Sequence, residues 1–113
     1  MKKLQGRSAL VTGSTQGIGL AIARQLAHEW CSVTINGLEP RDKGNEIAAG
    51  VARETGARVQ FSDANLATLP GVEALMDVAR SGFGDPDIVV NNAVVRSRSP
   101  IEYFSVETWE LAL

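Results

Sequence analysis

The chain has 113 residues, enough for one small domain with a single hydrophobic core. Hydrophobic residues make up 44% and charged residues 21%, typical of a globular protein, and a net charge of −2 excludes a strong basic field for nucleic acid or anionic membranes. Cys31 is the only cysteine and no apolar leader precedes Gly13, so we expect no disulfide, no membrane span and a cytoplasmic protein.

Strand-like and helix-like segments alternate along the chain. Apolar and β-branched runs predict strands at residues 8–12, 32–36, 57–62 and 87–93. Helical spacing of apolar residues predicts helices at residues 17–30, 42–56, 69–82 and 105–113. This alternation predicts an α/β fold of the Rossmann type: a doubly wound parallel sheet, here incomplete, with about four strands and flanking helices.

Two of the predicted helices carry further expectations. In the first helix, one apolar face is expected to pack on the sheet, formed by Ile18, Ala21, Ile22, Leu26 and Ala27. In the second helix, Gly44 and Gly50 are expected to weaken the helix, because glycine has a low helix propensity.

Three glycines stand where the first strand passes into the first helix, in the segment TGSTQGIG at residues 12–19. Gly13 permits a tight turn, Gly17 lets a phosphate approach the amides at the helix start, and Gly19 lets the helix pack closely on the sheet. A phosphate-binding loop of the P-loop type is excluded because no Gly-Lys-Ser/Thr follows. The alternative is a glycine-rich turn without a ligand.

The same segment, together with NNA at residues 91–93, resembles the short-chain dehydrogenase/reductase family, whose motifs are TGxxxGxG and NNAG. The resemblance covers essentially the whole chain. Within the family, the sequence is most similar to D-3-hydroxybutyrate dehydrogenases and next to 3-oxoacyl-carrier-protein reductases. The resemblance implies an oxidoreductase that binds NAD or NADP and transfers a hydride between nicotinamide and a secondary alcohol or ketone.

The resemblance also implies cofactor contacts at matched positions. They are Gly13, Thr15, Gln16, Gly17 and Ile18 beside the diphosphate and ribose, Leu38 near the adenosine ribose, Ala64, Asn65 and Leu66 beside the adenine, and Asn92, Ala93 and Val94 behind the ribose on the nicotinamide side. Asn91 resembles the family asparagine that ties neighbouring strands together, and its expected role is structural.

Three positions depart from the family pattern. Asn65 stands where an aspartate is frequent near the adenine, and Val94 replaces the last glycine of NNAG, where its branched side chain is expected to crowd the cofactor. Gly37 occupies the place of the acidic residue that bonds the ribose 2′-hydroxyl in NAD enzymes, while Glu39 and Arg41 follow it. Gln16 replaces the basic residue of many NADP-preferring relatives, which favours NAD.

No catalytic residue is predicted in this chain. The family uses a tyrosine with a lysine four residues later, whereas Tyr103 is followed at that spacing by Glu107. We therefore expect residues 1–113 to be the amino-terminal, dinucleotide-binding portion of a single domain whose catalytic half is absent, and to be inactive alone. With one histidine and one cysteine, no metal site is predicted either.

The sequence leaves two other interpretations open. The chain can be a non-catalytic nucleotide-binding module, because its glycine-rich turn is intact without a catalytic tetrad. It can also be a remnant that folds poorly, because the fourth strand would form an exposed apolar edge that invites self-association. No nucleic-acid or membrane partner is expected; the expected partners are the dinucleotide and, in the intact protein, a small alcohol or ketone.

Overall fold

The computed structural model describes residues 3–93 and confirms the alternation of strands and helices over that range. Four strands are present, β1 (Ser8–Val11), β2 (Ser32–Asn36), β3 (Val59–Ser62) and β4 (Ile88–Val90). Three helices connect them, α1 (Gly17–His28), α2 (Arg41–Thr55) and α3 (Leu69–Phe83). The helix predicted at residues 105–113 lies outside the described residues.

The four strands form one parallel sheet in the order β3-β2-β1-β4. The chain moves outward from β1 to β3 and then returns to the other side of β1, so the direction of winding reverses between β1 and β4. Ligands of such sheets bind beyond the carboxyl ends of the strands at this reversal. The predicted doubly wound, Rossmann-type sheet is therefore confirmed.

Helices cover both faces of the sheet. On the first face, α1 and α2 pack over the main core, which includes Val11, Val33 and Ile35. On the second face lies α3, where the Gln60 side chain donates hydrogen bonds to the Thr34 hydroxyl and to the main-chain oxygen of Val78. Right-handed crossovers explain this division. The steps from β1 to β2 and from β2 to β3 run in one direction across the sheet and place α1 and α2 on one face, whereas the step from β3 to β4 runs in the other direction and places α3 on the opposite face.

The face of α1 that packs on the sheet matches the predicted one only in part, since Ala27 is buried as expected. Gly19, Ala23 and Ala27 are its buried residues, whereas Ile18 is 75% exposed and Ala21 is also exposed. Small residues four positions apart let α1 lie closer to β1 and β2 than a leucine or isoleucine ridge would allow. Ile22 and Leu26 were correctly placed toward the core but pack only at its flank.

Some predicted boundaries were too long by a few residues. β4 ends at Val90 rather than at residue 93, because the next residues turn toward the end of β1. α1 ends at His28 because Trp30 adopts a left-handed conformation with φ of 65°. The N–H of Trp30 donates to Ala27 O and that of Cys31 donates to Leu26 O, which together satisfy carbonyls of the last turn.

The Trp30 side chain offsets part of the cost of this left-handed backbone. Its indole N–H donates a hydrogen bond of 3.2 Å to the carbonyl oxygen of Thr55, at the end of α2. A bulky residue in this conformation costs about 1 kcal/mol or more, so a compensating contact is expected. The link ties the carboxyl ends of α1 and α2 together.

β4 is an edge strand within the described sheet, where it pairs with β1. Val89 at its centre is 51% exposed. Self-association through this strand, which the sequence suggested, stays a prediction. Between Lys3 and Ala93, none of the helices is both long and apolar enough to cross a bilayer.

The two glycines within α2 have different surroundings. A Cβ atom at Gly44 would run into the ring of Phe61 on β3, whereas a Cβ at Gly50 would meet nothing within 4 Å. Gly44 therefore allows α2 to approach β3 closely, a packing role that helix propensity alone does not reveal. Gly50 has no such contact and costs the helix conformational entropy.

These surroundings predict opposite effects of the same substitution. Gly44→Ala is expected to lower the free energy of unfolding by about 1–3 kcal/mol, because the phenyl ring must move. Gly50→Ala, the matched control on the same helix, is expected to raise it by about 0.5–1 kcal/mol. Urea unfolding followed by circular dichroism measures both, and equal effects would show that Gly44 does not set the distance between α2 and β3.

Candidate functional site

The glycine-rich turn joins the end of β1 to the start of α1. Gly13 and Gly17 have φ angles of +56° and +59°, a conformation that glycine adopts without steric cost. A Cβ at Gly13 would lie 2.8 Å from the Cα of Ala93, whereas one at Gly17 would project into open space. Gly13 is thus required by the protein itself, while the space at Gly17 is available to a ligand.

The amino end of α1 is open to an anion. Gln16 precedes the helix in an extended conformation and makes no side-chain capping hydrogen bond, and the first turn contains no acidic residue. The first N–H groups of a helix lack partners within the helix and carry a partial positive charge. This end of α1 can therefore accept a phosphate group, with the exposed Ile18 beside it.

Thr12 connects the glycine-rich turn to the NNA segment. Its hydroxyl oxygen accepts hydrogen bonds of 2.9 Å from the N–H groups of both Asn92 and Ala93. In return, the Asn92 side chain donates a hydrogen bond of 2.9 Å to the carbonyl oxygen of Gly13. Asn92 thus provides the tie between neighbouring strands β1 and β4 that the sequence suggested for Asn91, and Asn91 itself is exposed.

Asn36, the last residue of β2, connects the turn to the loop that follows β3. Its side-chain oxygen accepts the N–H of Gly13 at 3.3 Å, and its side-chain nitrogen donates to the carbonyl oxygens of Ser62 and Ala64 at 3.2 and 3.1 Å. The main chain of Asn36 is also bonded to Ser14 in both directions. Sequence reasoning missed this residue; the only signal was a polar amide ending an otherwise buried strand.

Beyond β2, Leu38 is exposed and Glu39 turns back toward the glycine-rich turn. The Thr15 hydroxyl donates a hydrogen bond of 2.8 Å to the Glu39 carboxylate. Gly37 lies against both side chains, and a Cβ atom there would clash with Thr15 and with Glu39. A carboxylate is therefore present near position 37, two residues further along the chain.

The loop after β3 contains the three residues predicted beside an adenine. The main chain of Ala64 is held from both sides, since its N–H donates to the Ser62 hydroxyl and its carbonyl accepts from Asn36. The side-chain oxygen of Asn65 accepts the N–H of Ala67, which forms the turn leading to α3. Leu66 is half-buried beside them.

The parallel strands bring the described candidate residues to one edge of the sheet. Gly13 to Ile18 follow β1, Leu38 follows β2, Ala64 to Leu66 follow β3, and Asn92 and Ala93 follow β4. Val94 lies outside the described residues, as does Tyr103. Whether these residues bind a cofactor stays a prediction.

A cavity of about 280 Å³ lies beside this edge rather than at the glycine-rich turn. It is lined by Arg41, Asn45, Phe61, Ser62, Asp63 and Val78. At its rim, Arg41 and Asp63 form an exposed ion pair of 3.1 Å. None of the predicted cofactor residues lines this cavity, so it does not define the candidate site.

Cys31 and the other side chains that could bind a metal are further candidates for parts of a site. Burial raises the pKa of the Cys31 thiol above its ordinary value, and the nearby Asp87 carboxylate adds to the effect. Cys31 precedes β2 and therefore lies at the opposite edge of the sheet. Across residues 3–93, no three histidine, cysteine or acidic side chains come together in a way that would hold a metal ion.

The parallel sheet, its reversal between β1 and β4 and the uncapped helix start define a Rossmann-type nucleotide-binding fold. The family model for short chain dehydrogenases matches residues 7–113, and the chain belongs to that family.

Two curated relatives are D-beta-hydroxybutyrate dehydrogenases. The enzyme of Cupriavidus necator is 39% identical over 95% of this chain and 41% of its own length. That of Rhizobium meliloti is 36% identical over 92% of this chain and 40% of its own length. This chain thus spans about two fifths of the length of these relatives.

Among solved structures, the L-sorbose reductase of Gluconobacter frateurii, complexed with NADPH and L-sorbose, superimposes with a TM-score of 0.88 at 36% identity. The superposition covers 98% of this chain and 42% of the reductase. The described fold therefore corresponds to part of a larger enzyme domain in that protein.

Proposed function

We propose that this chain binds the dinucleotide of an NAD(P)-dependent oxidoreductase that interconverts a secondary alcohol and a ketone. The observation that carries the proposal is the start of α1: an uncapped helix end with open space at Gly17, located where the winding of the sheet reverses. Membership of the short-chain dehydrogenase family supplies the type of reaction.

The residues at this edge fit an extended ligand with a diphosphate at its centre. Gly13, Thr15, Gln16, Gly17 and Ile18 would hold the diphosphate and ribose at the helix start. Leu38 would lie beside the adenosine ribose, and the loop at Ala64, Asn65 and Leu66 beside the adenine. Asn92 and Ala93, with Val94 following them, would support the ribose on the nicotinamide side.

When bound, the nicotinamide group supplies hydride transfer to or from the substrate carbon. The role of this chain's own residues is to bind and orient. Main-chain amides at the start of α1 balance the diphosphate charge, and the Thr12 and Asn92 hydrogen bonds fix the end of β4 against the turn. A cofactor held firmly at this turn can present its nicotinamide at the distance from the substrate carbon that hydride transfer needs.

We infer that the substrate of the intact protein is a short 3-hydroxy acid such as D-3-hydroxybutyrate. The two dehydrogenases described above support this inference. A 3-oxoacyl group attached to a carrier protein is the second candidate, because its reduction forms a hydroxyl group at the same carbon, C3. The proton-transfer group would come from outside residues 1–113, because Tyr103 is followed by Glu107 at the spacing where a lysine is needed.

Glu39 supports a preference for NAD over NADP. Its carboxylate is hydrogen-bonded to Thr15, so it faces the region between the diphosphate turn and Leu38. A 2′-phosphate placed there would meet a negative charge, whereas a 2′-hydroxyl can donate a hydrogen bond to it. Arg41, two residues after Glu39 in the sequence, could balance such a phosphate, but it is already paired with Asp63.

Binding of NADH by the 113-residue chain tests the central proposal. Gly17→Ala is expected to lower the affinity about tenfold or more, because its methyl group enters the space that the diphosphate needs. Gly6→Ala is the matched control: Gly6 also has a positive φ and an open Cβ position, but it precedes β1 at the opposite edge of the sheet. Calorimetric titration that finds equal affinities for both variants would contradict the proposal.

The cofactor preference is tested by removing one negative charge. Glu39→Gln is expected to raise the affinity for NADPH relative to NADH about fivefold to tenfold, because a repulsive charge is lost. Glu46→Gln, on the exposed side of α2, is the control for the same change in net charge. If both variants keep the wild-type ratio, Glu39 does not select the cofactor.

Turnover separates a cofactor-binding portion from a complete enzyme. The chain alone is expected to show no NADH oxidation with 3-oxobutyrate, because it lacks the proton donor. A chimera that continues residue 113 with the remaining part of the Cupriavidus necator relative is expected to be active. Turnover by the 113 residues alone would refute the proposed location of the catalytic residues, and a folded, NADH-binding chimera without activity would argue against the substrate class.

A further inference from the structure

Asn36 is a buried polar residue that connects two segments of the candidate site. It is 3% exposed, stands at the carboxyl end of β2, and lies between the glycine-rich turn and the loop after β3. No open space separates it from those two segments, because its side chain is hydrogen-bonded to both. It therefore acts on both segments without being a surface residue that a ligand would contact.

The chemistry of these contacts requires a side-chain amide. The oxygen accepts one N–H, from Gly13, while the nitrogen donates two hydrogen bonds, to the carbonyls of Ser62 and Ala64. A carboxylate would place negative oxygens against two carbonyl oxygens, and a hydroxyl is too short to span both segments. Asparagine is the short side chain that provides an acceptor and two donors at once.

These bonds fix a distance that matters to an extended ligand. Gly13 belongs to the turn proposed to hold the diphosphate, and Ala64 belongs to the loop proposed to lie beside the adenine. A ligand that contacts both segments gains affinity when their separation is fixed beforehand, because less conformational entropy is lost on binding. A ligand that contacts only one segment gains nothing from that separation.

We propose that Asn36 is a positioning residue that sets the spacing between the diphosphate turn and the adenine loop, and so strengthens the binding of adenine nucleotides as whole molecules. This proposal rests on the proposed cofactor site. It goes further by assigning the coupling between two parts of that site to one buried side chain.

The test compares ADP, which spans both segments, with adenosine and inorganic pyrophosphate, which each engage one. Asn36→Leu removes the amide while keeping the number and branching of the side-chain heavy atoms and the charge. It is expected to weaken ADP binding about tenfold, while the affinities for adenosine and pyrophosphate each change less than about threefold. Chemical shift titration measures all three ligands, including weak binding by the two small ones.

Gln60→Met is the matched control. Gln60 also donates two hydrogen bonds from its side-chain amide, which is half-buried, but toward α3 on the second face of the sheet. It is expected to destabilise the fold by a similar mechanism and to leave ADP affinity unchanged. Should Asn36→Leu fail to fold, Asn36→Thr serves instead, since it retains one hydrogen bond but cannot bridge the two segments.

The outcomes are distinguishable. If the wild-type chain does not bind ADP, the proposed function fails, and this inference with it. If the wild type binds ADP and Asn36→Leu binds it as well as Gln60→Met does, only the positioning role is refuted. If Asn36→Leu weakens adenosine or pyrophosphate as strongly as ADP, Asn36 shapes one segment locally and does not set their spacing.

Discussion

The close approach of α1 to the end of β1 is the constraint on which the rest of this structure depends. A Cβ at Gly19 would collide with the carbonyl oxygen of Gly13, and one at Gly13 would collide with the main chain of Ala93. Three segments therefore meet so closely that neither position 13 nor position 19 has room for a side chain. Because these segments meet so closely, the start of α1 lies beside the carboxyl ends of β1 and β4. No side chain caps the amides of its first turn.

Buried hydrogen bonds hold this close contact in register. Thr12, Ser14, Asn36 and Asn92 each use a short polar side chain to satisfy main-chain groups of a neighbouring segment. Within residues 3–93, every buried side-chain nitrogen or oxygen has a hydrogen-bond partner. An unpaired group of this kind would cost about 1–3 kcal/mol, so a change to any one of the four disturbs its partner as well. These hydrogen bonds hold the glycine-rich turn, the end of β2 and the end of β4 in fixed positions relative to one another.

The fold was largely predictable from the sequence, and the packing within it was not. Alternating segments, together with the TGSTQGIG and NNA motifs, indicated the parallel sheet and the edge at which these motifs meet, because these features follow from local periodicity and from topology rules. The packed face of α1 was predicted only in part: Gly19 and Ala27 are buried and Leu26 packs against the core as expected. Ile18 and Ala21 were expected inside but are exposed, and Ala23 takes an inner position instead. In the same way, Gly44 appeared only as a weak helix former until Phe61 was found beneath it.

By itself, the sequence determined the family, the order of the strands and helices, and the turn at which a phosphate can approach a helix end. Each of these depends on residues that are close in sequence or on a general rule of α/β topology. The tertiary structure alone decided that Asn92 ties β4 to the turn, that the Glu39 carboxylate is bonded to Thr15, and that Asn36 joins two loops. These contacts link segments that are distant in sequence, and hydrogen-bond geometry between such segments is fixed only once the sheet has brought their ends together.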